Sequence, residues 1–105
     1  MRFVETPIFT AQITAELDDL SYRKLQLALL LRPEQGVVIK GAGGLRKLRW
    51  AGSGRGKRGG VRIIYYWHPP DEVFYMLYVY PKNEQSDLTP AQVRILRQLV
   101  EEQFK

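Results

Sequence analysis

At 105 residues, with 45% apolar and 26% charged side chains, the chain has the make-up of one small globular domain and is too short to bury two cores. It has no cysteine, which excludes a disulfide framework and cysteine-based metal sites, and its longest aliphatic run, residues 27–31, is far too short to span a bilayer, as is the apolar and aromatic run 73–80. A formal net charge of +5 favours a polyanionic partner, nucleic acid before membrane, because no basic amphipathic helix stands out.

In chain order, residues 2–9 carry Phe3, Val4, Ile8 and Phe9 around Pro7 and predict a short edge strand, where proline is tolerated. Glu5 and Pro7 also stand where a signal peptide needs an apolar run, so a cytoplasmic protein is expected. Thr10 is placed to cap a first helical turn through Ile13 and Leu17, and Asp18 or Asp19 to cap a second helix ending at Leu31. Leu20, Leu27 and Leu31 recur with a helical period, broadened by Leu25, Ala28 and Leu30, and predict a core stripe. Pro33 and Gln35-Gly36 mark a turn.

Three strands come next. Residues 45–50 put Leu45, Lys47 and Arg49 on one face, with Arg46, Leu48 and Trp50 on the other, and residues 61–67 gather Arg62, Ile64 and Tyr66. Residues 73–80 are apolar or aromatic on both faces, as in an interior strand; strict alternation groups Tyr78 and Tyr80 with Phe74 and Met76. Short connections predict antiparallel pairing of these neighbours. A last helix is announced by Thr89 with Gln92 three residues on, Pro90 at the first helical position and Leu88 set to staple onto Val93. Val93, Leu96 and Val100, flanked by Ile95, Leu99 and Phe104, predict its buried face. The expectation is an α+β fold in a single domain, residues 1–105: a twisted antiparallel sheet with a helical hairpin and a C-terminal helix packed on it.

The positive charge is segregated. From Lys40 to Arg62 the chain holds eight of its sixteen Lys and Arg residues, eight of its nine glycines and no acid; the remainder has eight basic and eleven acidic residues, net −3. Trp50, Tyr65, Tyr66 and Trp67 lie in or beside this segment. Cations on glycine-rich backbone beside aromatic rings suit a phosphate backbone with stacked bases, and the same composition also describes a solvated basic loop.

Other chemistries fail on spacing. A P-loop needs glycine at Ala51 and serine or threonine at Arg58. His68, the single histidine, sits beside two prolines and reads as a surface turn residue. Asp18-Asp19 and Glu101-Glu102 are adjacent pairs that do not face each other on a helix, and Ser53 has no recognisable base. RNA, however, carries its own nucleophile, the 2′-OH. A protein that cleaves it must hold the phosphate in line, stabilise charge on its oxygens and move one proton off the 2′-OH and one onto the departing 5′-oxygen. Lys47, Arg49 and Arg62 are candidates for the phosphate; clustered cations are expected to ease proton relay by Tyr or Lys.

The motifs GGLRKLR (residues 43–49), GKRGGVRIIYY (56–66), YVYPKNE (78–84) and SDLT (86–89), in this order, resemble the RelE/HigB toxins of bacterial type II toxin–antitoxin modules, the HigB-like branch in particular. The resemblance implies a RelE-like fold and a ribosome-dependent endoribonuclease that cleaves mRNA in the ribosomal A site, inhibiting translation without metal or cofactor. Its implied partners are a cognate antitoxin, typically a helix-turn-helix DNA-binding repressor through which operator DNA is met indirectly, and the ribosome with its RNA. By position the family's two basic strand residues fall on Lys47 and Arg49, its phosphate-binding arginine on Arg62, and the basic residue after the last strand on Lys82. Asn83 stands where many relatives have arginine, so the acid falls to Lys82. The catalytic tyrosine that some relatives carry near the C-terminus is missing after Tyr80; Tyr66 or Tyr80 substitutes, or no tyrosine base is used. Arg46, Arg55, Lys57 and Arg58, with Asn83 and Tyr80, are assigned to RNA binding. A non-catalytic RNA-binding module, a ParE-type gyrase inhibitor and a toxin-like protein kept only for antitoxin binding are the alternatives.

Overall fold

Pro7 begins a helix where the sequence suggested a continuing strand. In the computed structural model, which describes residues 1–52 and 60–104, strand β1 (Arg2–Glu5) ends at Thr6, and helix α1 (Pro7–Glu16) starts at once. Thr6 Oγ1 accepts from Phe9 N–H at 3.1 Å, and Pro7 occupies the first helical position, where its missing N–H has no intrahelical acceptor to lose. Thr10, expected as the cap, lies within the helix and donates to Glu5 Oε1 at 2.7 Å. Asp18 caps α2 (Asp19–Leu31) by accepting from Ser21 N–H at 2.7 Å.

Strand β2 (Val37–Val38), two residues long and without a pattern to read, precedes β3 (Arg46–Trp50), β4 (Val61–His68) and β5 (Val73–Pro81); α3 (Pro90–Phe104) ends the described chain. The sheet order is β1-β5-β4-β3-β2. The β2–β3, β3–β4 and β4–β5 pairs are antiparallel as expected, whereas β1 joins β5 in parallel, so the α+β sheet is mixed.

Each face has its own core. On one, Phe9, Ile13, Leu17, Leu25 and Leu29 from the hairpin pack on Leu48, Ile63, Tyr65, Phe74, Met76 and Val79. On the other, Leu96 and Val100 of α3 close over Leu45, Ile64, Tyr75 and Leu77. The predicted leucine stripe of α2 is displaced: Leu20, Leu27 and Leu31 are 64%, 53% and 83% exposed, while Leu25 and Leu29 are buried. Leucines on nearly every side of this helix leave periodicity undecided. Phe9 against Tyr22 (ring centroids 6.0 Å) sits on the buried side with them. Ile95 of α3 is likewise exposed. His68 is half-buried rather than a surface turn residue, stacked on Phe104 at 4.4 Å and 3.5 Å from Asp71. The α3 cap forms as read: Gln92 N–H donates to Thr89 Oγ1 (3.1 Å) and Thr89 N–H to Gln92 Oε1 (2.9 Å).

One irregularity interrupts the sheet. Ile64 pairs with Tyr78 and Tyr65 with Met76, so Leu77 is an extra residue on β5, a β-bulge. Beyond β1 the free edge of β5 is satisfied by α1: Thr6 Oγ1 donates to Leu77 O (2.8 Å) and Gln12 Oε1 accepts from Val79 N–H (2.9 Å). Thr6 therefore serves both helix and bulge. Replacing Thr6 with valine should cost on the order of 1–3 kcal/mol in chemical denaturation, combining a lost cap with an orphaned carbonyl. Thr10→Val, at an exposed helix position, should stay within about 1 kcal/mol of the parent. Equal costs at the two threonines would refute this account of the helix start.

Candidate nucleic-acid interface

Alternation on β3 turns Leu48 into the hairpin core and leaves Lys47 and Arg49 on the α3 face. On β4, Val61, Ile63 and Tyr65 serve the hairpin side, so Arg62 and Ile64 point the other way. On β5 the bulge resets the alternation. Strict period two would send Tyr78 and Tyr80 to the side of Phe74 and Met76; one extra residue brings them instead to the α3 face, in the same core as Ile64.

Two rows result, running across the sheet. Arg49 pairs with Arg62, and Arg62 with Tyr80; in the next row Lys47 pairs with Ile64, and Ile64 with Tyr78. Arg49 directly opposite Arg62 is a like-charge cross-strand pair, which is destabilising on its own. Arg62 is only 4% exposed, with a guanidinium N–H 3.4 Å from Val61 O. Two arginines side by side on one face form an arrangement that can hold an anion.

Two residues that sequence reasoning missed complete the cluster. Asp87, in the loop before α3, accepts from Lys47 Nζ at 2.6 Å. That hydrogen bond, with the charge of Lys47 and then those of Arg62 and Arg49, holds its carboxyl below the usual carboxylate range. Tyr78 OH accepts from Gln92 Nε2 at 3.2 Å and ties the α3 cap to the sheet. No sequence signal joins Lys47 to Asp87, 40 residues away; Tyr78 is hidden by strict alternation.

Tyr80 behaves differently from the expectation that cations would ease its ionisation. Its ring is buried, its OH has no hydrogen-bond partner among the described residues, and burial pushes the phenol above its ordinary pKa. Asp87 adds to the rise and Arg62 opposes it. Tyr80 is therefore a neutral phenol, a hydrogen-bond donor rather than a base at neutral pH.

The other expected site residues are dispersed. Tyr66 lies further along β4, its ring 5.5 Å from Phe104 and 6.2 Å from His68, and is not brought to the cluster. Arg46 is a brace: its guanidinium donates to Gly36 O (2.8 Å) and Glu34 O (3.0 Å) and pairs with Glu34 at 3.4 Å. Lys82 and Asn83 are exposed in the turn leaving β5, which is pinned where Lys82 N–H donates to Gly60 O at 3.1 Å. That pin and the Val61–Pro81 pair put the turn at the same sheet end as Arg62 and Tyr80. Arg55, Lys57 and Arg58 lie outside the described residues. A groove of about 620 Å³ runs beside the cluster, with Lys47 and Asp87 on one wall and Val37, Val38, Leu88 and Val93 among its apolar lining. Among the described residues, no helix is long and apolar enough to cross a membrane.

Lys47, Arg49 and Arg62 on one sheet face can hold a phosphodiester and donate to its oxygens, with the buried, neutral phenol of Tyr80 beside Arg62. The family model for the RelE toxin of the RelE/RelB toxin–antitoxin system matches residues 11–105, nearly the whole chain and all of this cluster. The chain belongs to the RelE family: it is the toxin of a toxin–antitoxin system, and a cognate antitoxin is its partner.

Proposed function

We propose that this toxin is a ribosome-dependent endoribonuclease that cuts mRNA in the ribosomal A site. RelE-family toxins are generally endoribonucleases. What carries the reading in this chain is the row Arg49–Arg62–Tyr80 with Lys47 beside it. In the reaction, the 2′-oxygen bonds to the adjacent phosphorus as its proton passes to solvent water. The bond from phosphorus to the 5′-oxygen breaks, and that oxygen takes up a proton. The products are a 2′,3′-cyclic phosphate and a 5′-hydroxyl.

Arg62, fixed by burial, and Arg49 grip the non-bridging oxygens, whose charge grows in the transition state. Lys47 adds a third cation from the next row. Lys82, at the exit of β5, is the donor to the leaving oxygen, and the neutral phenol of Tyr80 flanks Arg62 in the same row. No metal enters this scheme. The groove beside Lys47 offers apolar walls on which a neighbouring base can rest. Arg55, Lys57 and Arg58 are assigned to ribosomal RNA, where their loss weakens docking; Arg46, engaged with Glu34 and two carbonyls, belongs to the scaffold instead. The antitoxin is of helix-turn-helix type, and the similarity in motifs supports assigning the toxin to the HigB-like branch.

The repulsion between Arg49 and Arg62 makes the site and the sheet competitors. Arg49→Thr should slow cleavage of ribosome-bound mRNA by about 10²-fold while raising stability to denaturant by roughly 0.2–1 kcal/mol. A stabilised variant with undiminished cleavage would remove Arg49 from the chemistry, and a destabilised one would show that the pair is not repulsive. Toxin affinity for ribosomes should also fall steeply and log-linearly with salt, as counterions are released from RNA. A flat response would mean the basic segment is not the docking surface.

A further inference from the structure

The cation cluster already carries an anion from its own chain. Asp87 lies between β5 and α3, and its carboxylate meets Lys47 Nζ at 2.6 Å. The loop that presents it is braced by side-chain amides. Gln85 Nε2 donates to Asp87 O (2.7 Å) and to Gln92 Oε1 (3.0 Å), and Gln92 joins Thr89 of the helix cap and the Tyr78 hydroxyl. The backbone at Asp87 is thus held over the sheet face. The carboxylate itself is on the solvent side, with the side chain 72% exposed, so it can swing away while the loop stays in place.

A carboxylate and a phosphodiester each bring one negative charge and ask for the same donors. RNA that reaches Lys47 competes with Asp87 for the ammonium's charge and for one of its donors. An exposed ion pair of this kind shifts a competing equilibrium by about two- to fivefold. That is a substantial loss for a strand held only through this cluster. It is invisible for a strand whose local concentration is already high because a larger surface has docked beside it.

We propose that Asp87 is a specificity-determining residue, an internal stand-in for the scissile phosphate that lowers the affinity of the cluster for free RNA and reserves it for strands delivered by the ribosome. This rests on the reading of the cluster as the RNA site. Asp87 is not required to touch the reacting atoms; it acts by occupying Lys47.

The test is equilibrium binding of the full-length toxin to a short single-stranded RNA carrying 2′-O-methyl groups, which cannot be cleaved, measured by fluorescence anisotropy over a range of salt. Asp87→Asn keeps the shape of an exposed side chain. It should bind about two- to fivefold more tightly than the parent at low salt, with a log-log salt slope steeper by about 0.7, one further phosphate contact on a single strand. In a Lys47→Gln background the gain should vanish. Unchanged or weaker binding by Asp87→Asn would overturn the proposal, as would an equal gain without Lys47, which would show long-range charge instead of occupancy. Arg49→Ala separates the role of Asp87 from that of the cluster. If it weakens binding while Asp87→Asn gains nothing, the proposal for Asp87 alone fails. If Arg49→Ala binds like the parent, RNA sits elsewhere, and both readings of the cluster fall together.

Discussion

Leu77 has no partner on β4: the strands are in register through Ile64 with Tyr78, and again from Tyr65 with Met76, with one residue left over between. Because side chains alternate with a period of two, that one residue transfers everything after it to the opposite face. Without it, Tyr78 and Tyr80 would enter the core under the helical hairpin. With it, Tyr80 stands next to Arg62, and Tyr78 lies where Gln92 of the α3 cap can donate to it. The bulge is held from outside the sheet, through the Leu77 carbonyl on Thr6 and the Val79 amide on Gln12. The first helix therefore does more than cover a core. It fixes the register on which the candidate site depends.

At this site the sheet breaks its own rules. Cross-strand arginines repel, and a phenolic oxygen is sealed away from water without a partner among the described residues. Each costs stability, and both lie in one row. Elsewhere the described polar groups are matched closely: Tyr65 OH, buried with its ring, donates to Pro33 O and accepts from Gly36 N–H. Violations concentrated in one place are what a functional site requires. Asp87 offsets part of the repulsion from the side of the second row, which ties the resting electrostatics of the cluster to a loop that also starts α3.

What could be read in advance was what depends on short spacings. Thr89 and Gln92 announce the last helix because a capping box is a local pattern. Lys47, Arg49 and Arg62 can be placed on one face because β3 and the first half of β4 alternate without interruption. The bulge could not be read, since the run from Val73 to Tyr80 is apolar or aromatic at every position and any register satisfies burial. The α2 leucines mislead for the same reason: with apolar residues on several sides, the choice of buried face falls to tertiary partners such as Phe9. Thr6 gives no signal as long as Pro7 is taken for a blemish in a strand rather than the first residue of a helix. Asp87 becomes visible only when folding brings it to Lys47.

The central claim is that this cluster cleaves RNA by using the strand's own 2′-OH. Its most direct test is the chemistry of the cut ends formed when purified toxin acts on mRNA held in ribosomes, with naked RNA as the control. Cuts are predicted in the A-site codon only when ribosomes are present, each leaving an upstream 2′,3′-cyclic phosphate and a downstream 5′-hydroxyl. Ends bearing a 3′-hydroxyl and a 5′-phosphate would contradict the claim, because they require water or another external nucleophile in place of the 2′-OH.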